Sequence, residues 1–229
     1  MPSIFELIDQ LSFLRGLPAV YALLATAVLV ILAWDWRLTL LGLMGHYLFA
    51  GLLFVDVLDP RLAAIKAIAG LSVCLILFMT GRQVNDGRYL TAMSAEAAMT
   101  LRWTGDVKIG GYRLPVVLVR LFAALVVLLI VWIMAHVSAF SLSALPPEVA
   151  YLNLAVYGLV GLGLLGLVTT DPMRAGLGIL LALTGFELVY SAVDQSTGML
   201  SLLAALNLTL ALVISYLTQA HRTRLLLAD

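Results

Sequence analysis

Two ionisable side chains stand inside long apolar runs, and they are where chemistry could happen. Glu187 lies in Asp171–Asp194, DPMRAGLGILLALTGFELVYSAVD, where apolar residues fill almost every other position from Met173 to Val193. At ~1.5 Å per residue this run covers ~30 Å, the thickness of a bilayer's hydrocarbon core. A charge there costs roughly 2.5–3.5 kcal/mol on insertion scales, so a polar partner or an ion path is expected. Tyr190 and Asp194 follow three and seven residues later, which predicts one shared helix face turned toward protein or water. Lys66 sits five residues into another apolar run, ~8 Å deep. Asn207 lies about eight residues into a third, ~12 Å deep, against ~10 Å for Glu187. The three share a depth, and Glu187 and Asn207 fall on consecutive antiparallel helices, so they are placed to touch. Whether Lys66 faces them depends on helix arrangement.

Each of these residues has a plain reading and a sharper one. Lys66 could snorkel to the nearer interface on its four-carbon stem. Alternatively it exchanges protons with a carboxylate, since burial disfavours the charged form of both. Glu187 could be a structural hydrogen-bond acceptor between helices, or it could bind a translocated ion. His46, mid-way along its run, either bonds a neighbouring helix or joins a proton relay, having an unperturbed pKa near ~6.5. His136 lies ~33 Å from the end of the membrane that His46 approaches to ~14 Å, so the two cannot bracket one haem iron. His221 belongs to a basic HRTR tail. The single cysteine, Cys74, excludes an internal disulfide and reads as a small packing residue. No nucleophile–base set, metal-ligand spacing or nucleotide motif is found. The expectation is therefore no cofactor in this chain and no catalysis by it alone.

The elements that must position these side chains are membrane helices. Of 229 residues, 63% are hydrophobic and 11% charged, and the mean hydropathy is +1.08. A soluble domain is nearer half apolar and a quarter charged. The net charge of zero gives no reason to expect a nucleic-acid partner. The fold class expected is all-α, a polytopic integral membrane protein of about seven transmembrane helices. The spans read as Pro18–Trp34, Leu38–Val57, Arg61–Thr80, Leu114–Val137, Tyr151–Thr169, Met173–Val193 and Met199–Gln219. This divides the chain into a three-helix part over 1–80, a loop over 81–113 and a four-helix part over 114–229. Within the loop, Leu90, Met93, Ala97 and Leu101 fall at helical spacing and end on Arg102 and Trp103, which predicts a short interfacial helix. The segment GDVKIGG reads as a turn leading to Pro115. Glycines 158, 161, 163 and 166 in span five and 176, 178 and 185 in span six predict close packing of those two helices.

Basic residues set the orientation. Arg37, Arg82, Arg88, Arg102, Lys108, Arg113, Arg174, Arg222 and Arg224 fall on one side, and Arg15 and Arg61 on the other. Arg120 lies one to two turns into span four from the basic side. An N-terminus outside and a C-terminus in the cytoplasm follow, in agreement with an odd span count. The N-terminal MPSIFELIDQLSFLRGLP lacks a basic start and a small-residue cleavage site, so no cleavage is expected.

With these residues in view, a resemblance emerges. Tyr151 to Ala220 resembles the three-helix K subunit of respiratory complex I and its relatives in multi-subunit cation/proton antiporters. The local match is LTGFELVYSA from Leu183 to Ala192, close to that family's pattern around its first membrane glutamate. The whole chain is similar to the E subunit of hydrogenase-4-type membrane complexes, which places extra helices before a K-like end. That family also has a lysine in its third span, matched by Lys66 in AAIKAIAGLSVCLILF. Two departures stand out. Span seven has no second glutamate, only Asn207, and Glu187 lies about two helical turns further from the Asp171 turn than the family's glutamate does.

The resemblance implies a non-catalytic membrane subunit of a complex-I-like assembly in the inner (plasma) membrane. That assembly would couple electron transfer to proton or sodium movement, with antiporter-like and other membrane subunits and the lipid bilayer as partners. It implies Glu187 as the proton-binding group, Lys66 as charge partner or relay, and His46, Tyr190, Asn207 and Asp194 as secondary relay or hydrogen-bonding groups. The alternatives are a subunit of a multi-subunit cation/proton antiporter without redox chemistry, a free-standing transporter, and a purely structural membrane subunit.

Overall fold

The computed structural model describes residues 14–33, 35–86, 106–109, 112–137, 141–143, 145–169 and 171–227. Among them are seven α-helices: α1 (Leu17–Leu32), α2 (Trp36–Val55), α3 (Pro60–Asp86), α4 (Val116–His136), α5 (Leu152–Leu167), α6 (Pro172–Val193) and α7 (Thr197–Leu227). Five of them, α2, α3, α4, α6 and α7, are long and apolar enough to cross a membrane. The other two, α1 and α5, are apolar helices of 16 residues each.

Local chemistry starts the helices sharply. Asp35, Asp59 and Asp171 each accept a hydrogen bond from the backbone N–H two residues on, at Arg37, Arg61 and Met173. An aspartate there satisfies one of the orphan donors of a first turn. Pro60 and Pro172 follow two of these aspartates, where a missing N–H is harmless and φ is preset. Gly16, before α1, has φ +75°, a conformation that a side chain would strain.

Six helices close a ring. Neighbours around it are α1, α2, α3, α7, α6 and α5, with α5 returning to α1. Helix α2 also touches α6 across the ring, and α4 lies outside it against α5. Only 11% of the membrane-length stretch of α4 is buried, whereas the same figure is 56% for α2 and α6. The ring thus joins the N-terminal three helices to the C-terminal ones through α1 on α5 and α3 on α7.

Glycines set the closest approaches. A Cβ on Gly163 would lie 2.6 Å from the Gly178 carbonyl, and one on Gly166 would lie 2.9 Å from the Gly178 Cα, so α5 and α6 meet backbone to backbone. Gly185 also faces α5, at Leu159 and Val156. The other three glycines do something else. Gly158 receives Leu24 of α1, Gly161 faces Val127 of α4, and Gly176 receives Ile214 of α7.

Several boundaries differ from those read off the sequence. Helix α3 continues past Thr80 to Asp86, and α7 continues past Gln219 to Leu227. Gly81 does not stop α3, and the Trp36 ring packs where its Cβ would be. The extension is tied to α7 by a hydrogen bond from Gln219 Nε2 to Gln83 Oε1 at 3.0 Å, and just before it the Thr80 and Ser215 hydroxyls are hydrogen-bonded. The segment before α4 is more than a turn. Strands β1 (Asp106–Ile109) and β2 (Tyr112–Pro115) pair antiparallel, with Ile109 opposite Tyr112. A Gly-Gly pair between two short β-prone runs is a hairpin signal. The interfacial helix expected over Leu90–Trp103 lies outside the described residues, as do residues 1–13.

Candidate functional site

Glu187 and Lys66 meet inside the ring. Glu187 extends from the inner face of α6 and is 2% exposed, and Lys66 extends from α3 and is 6% exposed. Lys66 Nζ lies 3.1 Å from Glu187 Oε1. Asn207 of α7 donates through Nδ2 to the same oxygen at 2.7 Å. The carboxylate is therefore held by a cation from one helix and an amide from another. Snorkelling is not what Lys66 does here, since its ammonium points inward and its side chain is 4% exposed.

The site is built by close helix approaches on each side. Gly51 of α2 lets Ala67 of α3 come near, the Cβ–Cβ separation being 3.2 Å for an alanine at 51. One turn after Lys66, Gly70 receives the Tyr47 ring of α2, which leaves no room for a Cβ. These contacts press α2 onto α3 beside Lys66. Phe54 of α2, itself buried, has its ring centroid 5.7 Å from Lys66 Nζ, within reach of a cation–π attraction. Thr184 donates to the Leu180 carbonyl at 2.9 Å, and its oxygen remains able to accept from the nearby Tyr47 hydroxyl.

Two charges in a dry core cost several kcal/mol each in desolvation, and their attraction offsets this only with good geometry and added hydrogen bonds. Glu187 has such additions and Lys66 has fewer. Beyond its ion-pair contact the ammonium makes no well-aligned hydrogen bond, and other buried polar atoms are unpartnered too: Tyr47 Oη, Ser191 Oγ, Asn207 Oδ1 and both ring nitrogens of His46. Native interiors leave few such groups, and each calls for an explanation. Ser191 is one turn beyond Glu187 on the same buried face.

The other expected site residues divide. His46 is fully buried on α2 and sits edge-on to the Tyr47 ring at 5.6 Å. Its ring lies toward the backbone of Leu23 on α1, without a well-aligned hydrogen bond. The shared face predicted for Glu187, Tyr190 and Asp194 splits. Tyr190 stacks against Phe186 at 5.8 Å, and Phe186 is half exposed. Its hydroxyl donates to Asp194 Oδ2 at 3.4 Å, at the end of α6. A helix turns by about 100° per residue, so a spacing of three puts Tyr190 roughly 60° off Glu187. That offset moves it from the ring interior to its rim. Asp194 lies at that rim, outside the helix, where the Ser196 amide and hydroxyl hold its carboxyl below the usual range.

A second ion pair, unmarked in the sequence, lies at this same end. Arg15 donates to Asp56 Oδ1 through Nε at 2.9 Å and Nη2 at 2.6 Å, and the Tyr151 hydroxyl donates to Oδ2 at 2.6 Å. Tyr47, Phe54 and Ser191 were also missed as site residues. Ser191 was findable from its spacing of four from Glu187. Tyr47 and Phe54 carry no sequence signal, because they lie in an ordinary apolar run.

Among the described residues no three His, Cys, Asp or Glu side chains cluster as metal ligands. No family model, curated protein or solved structure matches the chain.

Proposed function

We propose that this chain is a non-catalytic membrane subunit in which the Lys66–Glu187 pair carries protons, within a complex-I-like or hydrogenase-4-like assembly. The observation that carries this reading is the buried pair itself, held between α3, α6 and α7 at a common depth. Its chemistry suits a relay. Transfer of a proton from the ammonium to the carboxylate removes both charges without changing the net charge. A proton added to the pair leaves Lys66 charged beside a neutral acid, and one withdrawn leaves an amine beside the carboxylate. Asn207 supports either state of Glu187, because its amide is donor and acceptor. The buried Tyr47 and Ser191 hydroxyls and the His46 ring supply further donors and acceptors in the same ring. The resemblance of Leu183–Ala192 and of the Lys66 segment to the K and E subunits points the same way.

On this reading all seven helices cross the inner (plasma) membrane, with the N-terminus outside and the C-terminus in the cytoplasm. Antiporter-like subunits flank the chain and extend the path, since α7 offers Asn207 where the K family has a second glutamate. The assembly couples electron transfer to movement of protons or sodium.

Mass spectrometry of what co-purifies with the tagged chain tests the partners. Large antiporter-like subunits together with iron–sulfur or nickel proteins are the expected result. Antiporter-like subunits without redox proteins would move the assignment to a cation/proton antiporter, and the chain alone would overturn both. The relay is tested in the assembled complex: Glu187→Gln should leave assembly intact and impair coupling. A complex of lowered yield that pumps normally would mean that the pair only joins helices.

A further inference from the structure

A cleft of about 320 Å³ opens at the ring's other end, between the last turns of α1 and α5 and the first turns of α4 and α6. Its walls are apolar, among them Ile31, Ala123 and Leu165. Its floor is the bare-backbone contact of Gly166 with Gly178. Two guanidinium groups line it, those of Arg120 and Arg174. Arg174 is already engaged, with Nη2 3.5 Å from the Ala33 carbonyl and Nε 3.8 Å from Asp171 Oδ2. Arg120 is different. It stands four residues into α4, half-buried, and no carboxylate, carbonyl or hydroxyl among the described residues is bonded to it.

An arginine one turn inside a membrane helix lies ~6 Å from the helix start, within reach of the headgroup phosphates only through its long side chain. A cation left unpaired there is expensive, and such groups face a partner or a polar ligand. A guanidinium offers a planar fork of donors that matches a phosphate. Basic pockets between transmembrane helices are known places for anionic headgroups. The apolar walls fit the start of an acyl chain, and α4, exposed over most of its surface, leaves one side of the cleft facing the bilayer.

We infer that this cleft binds one anionic phospholipid, its phosphate on Arg120 and its first acyl carbons along α1, α4 and α5. The site is independent of the Lys66–Glu187 relay and lies at the opposite end of the ring from Asp56 and Asp194. A lipid seated there would also extend the contacts by which α4 is held against α5 and α1.

Native mass spectrometry of the full chain, equilibrated with equal amounts of phosphatidylglycerol and phosphatidylcholine, tests this. The chain should retain phosphatidylglycerol preferentially, and Arg120→Gln should lower that preference about tenfold, the effect of one charge-assisted hydrogen bond. Arg120→Lys should restore part of it. Arg37→Gln, on an exposed position of the same basic face, should leave it unchanged. Ala123→Trp fills the cleft while keeping the guanidinium, and should also expel the lipid, so the test stands even if Arg120→Gln folds poorly. Equal retention of both lipids by the unaltered chain would overturn the inference. So would an undiminished preference in both Arg120→Gln and Ala123→Trp. Displacement of phosphatidylglycerol by millimolar inorganic phosphate would assign the site to free phosphate instead.

Discussion

Two carboxylates in this molecule are each held by one cation and one neutral donor from different parts of the chain, yet they stand in opposite surroundings. Glu187 and Lys66 have side chains 3% and 4% exposed, whereas Asp56 and Arg15 are 8% and 34% exposed. The Asp56 cluster has the better hydrogen bonds: Arg15 gives two to one oxygen and Tyr151 one to the other. The Glu187 cluster has fewer, and several unpartnered polar atoms around it. A pair selected only to join helices would look like the first and would sit at the membrane's edge, where water lowers the desolvation cost. The pair in the dry interior has fewer hydrogen bonds to offset its desolvation, and this is the difference on which the proposed relay rests.

The largest expected effect comes from breaking the buried pair. Lys66→Met leaves Glu187 buried with only Asn207, and should lower unfolding stability by about 3–5 kcal/mol, measured by denaturant unfolding in micelles. The double variant Lys66→Met/Glu187→Leu should recover most of that, because no charge is left unpaired. A single variant within ~1 kcal/mol of the parent would erase the distinction between the two clusters.

Next comes Asp56→Asn. It leaves Arg15 without its counter-charge and weakens the Tyr151 hydrogen bond, at a cost of about 1.5–3 kcal/mol in the same assay. Under the proposed relay, ion coupling should be untouched, unlike that of Glu187→Gln.

Arg15→Gln should matter less, by about 0.2–1 kcal/mol, since a third of that side chain is in solvent. The difference from the parent should shrink in ~1 M salt, where the screening length is ~3 Å. A salt-independent loss would place Arg15 in drier surroundings than its exposure indicates.

Asp194 completes the series as a carboxylate beyond the helix ends. The Ser196 amide and hydroxyl depress its folded pKa, so the folded state binds its proton less readily than the unfolded chain. Its contribution is complete above the unfolded value of about 4 and is lost as pH falls through the lower folded value. The melting-temperature difference between the parent and Asp194→Asn should be small, constant from pH ~7 to ~5, and should vanish toward pH ~2. A difference that grew on acidification would reverse the sign assigned here.

Much of the site was legible because it depends on local spacing. Apolar runs of membrane length located the helices. The depth of Glu187, Lys66 and Asn207 follows from residue counts and the constant rise of a helix. The adjacency of Glu187 and Asn207 follows from a loop too short to separate α6 from α7. The splitting of Tyr190 from Glu187 was less legible, because a modest angular offset decides between interior and rim only when the neighbours are known.

The sequence by itself determined which residues are apolar, where the charges fall along each helix and how deep they lie, because these are properties of one helix at a time. Tertiary structure alone decided that Lys66 faces Glu187 rather than the interface. That contact needs α3 to lie beside α7, although α4, α5 and α6 all come between them in the chain. The placement comes from Gly51, Gly70 and Gly176 admitting their neighbours' side chains. A helix's periodicity names the face it buries, but only packing between helices distant in the chain names what that face meets.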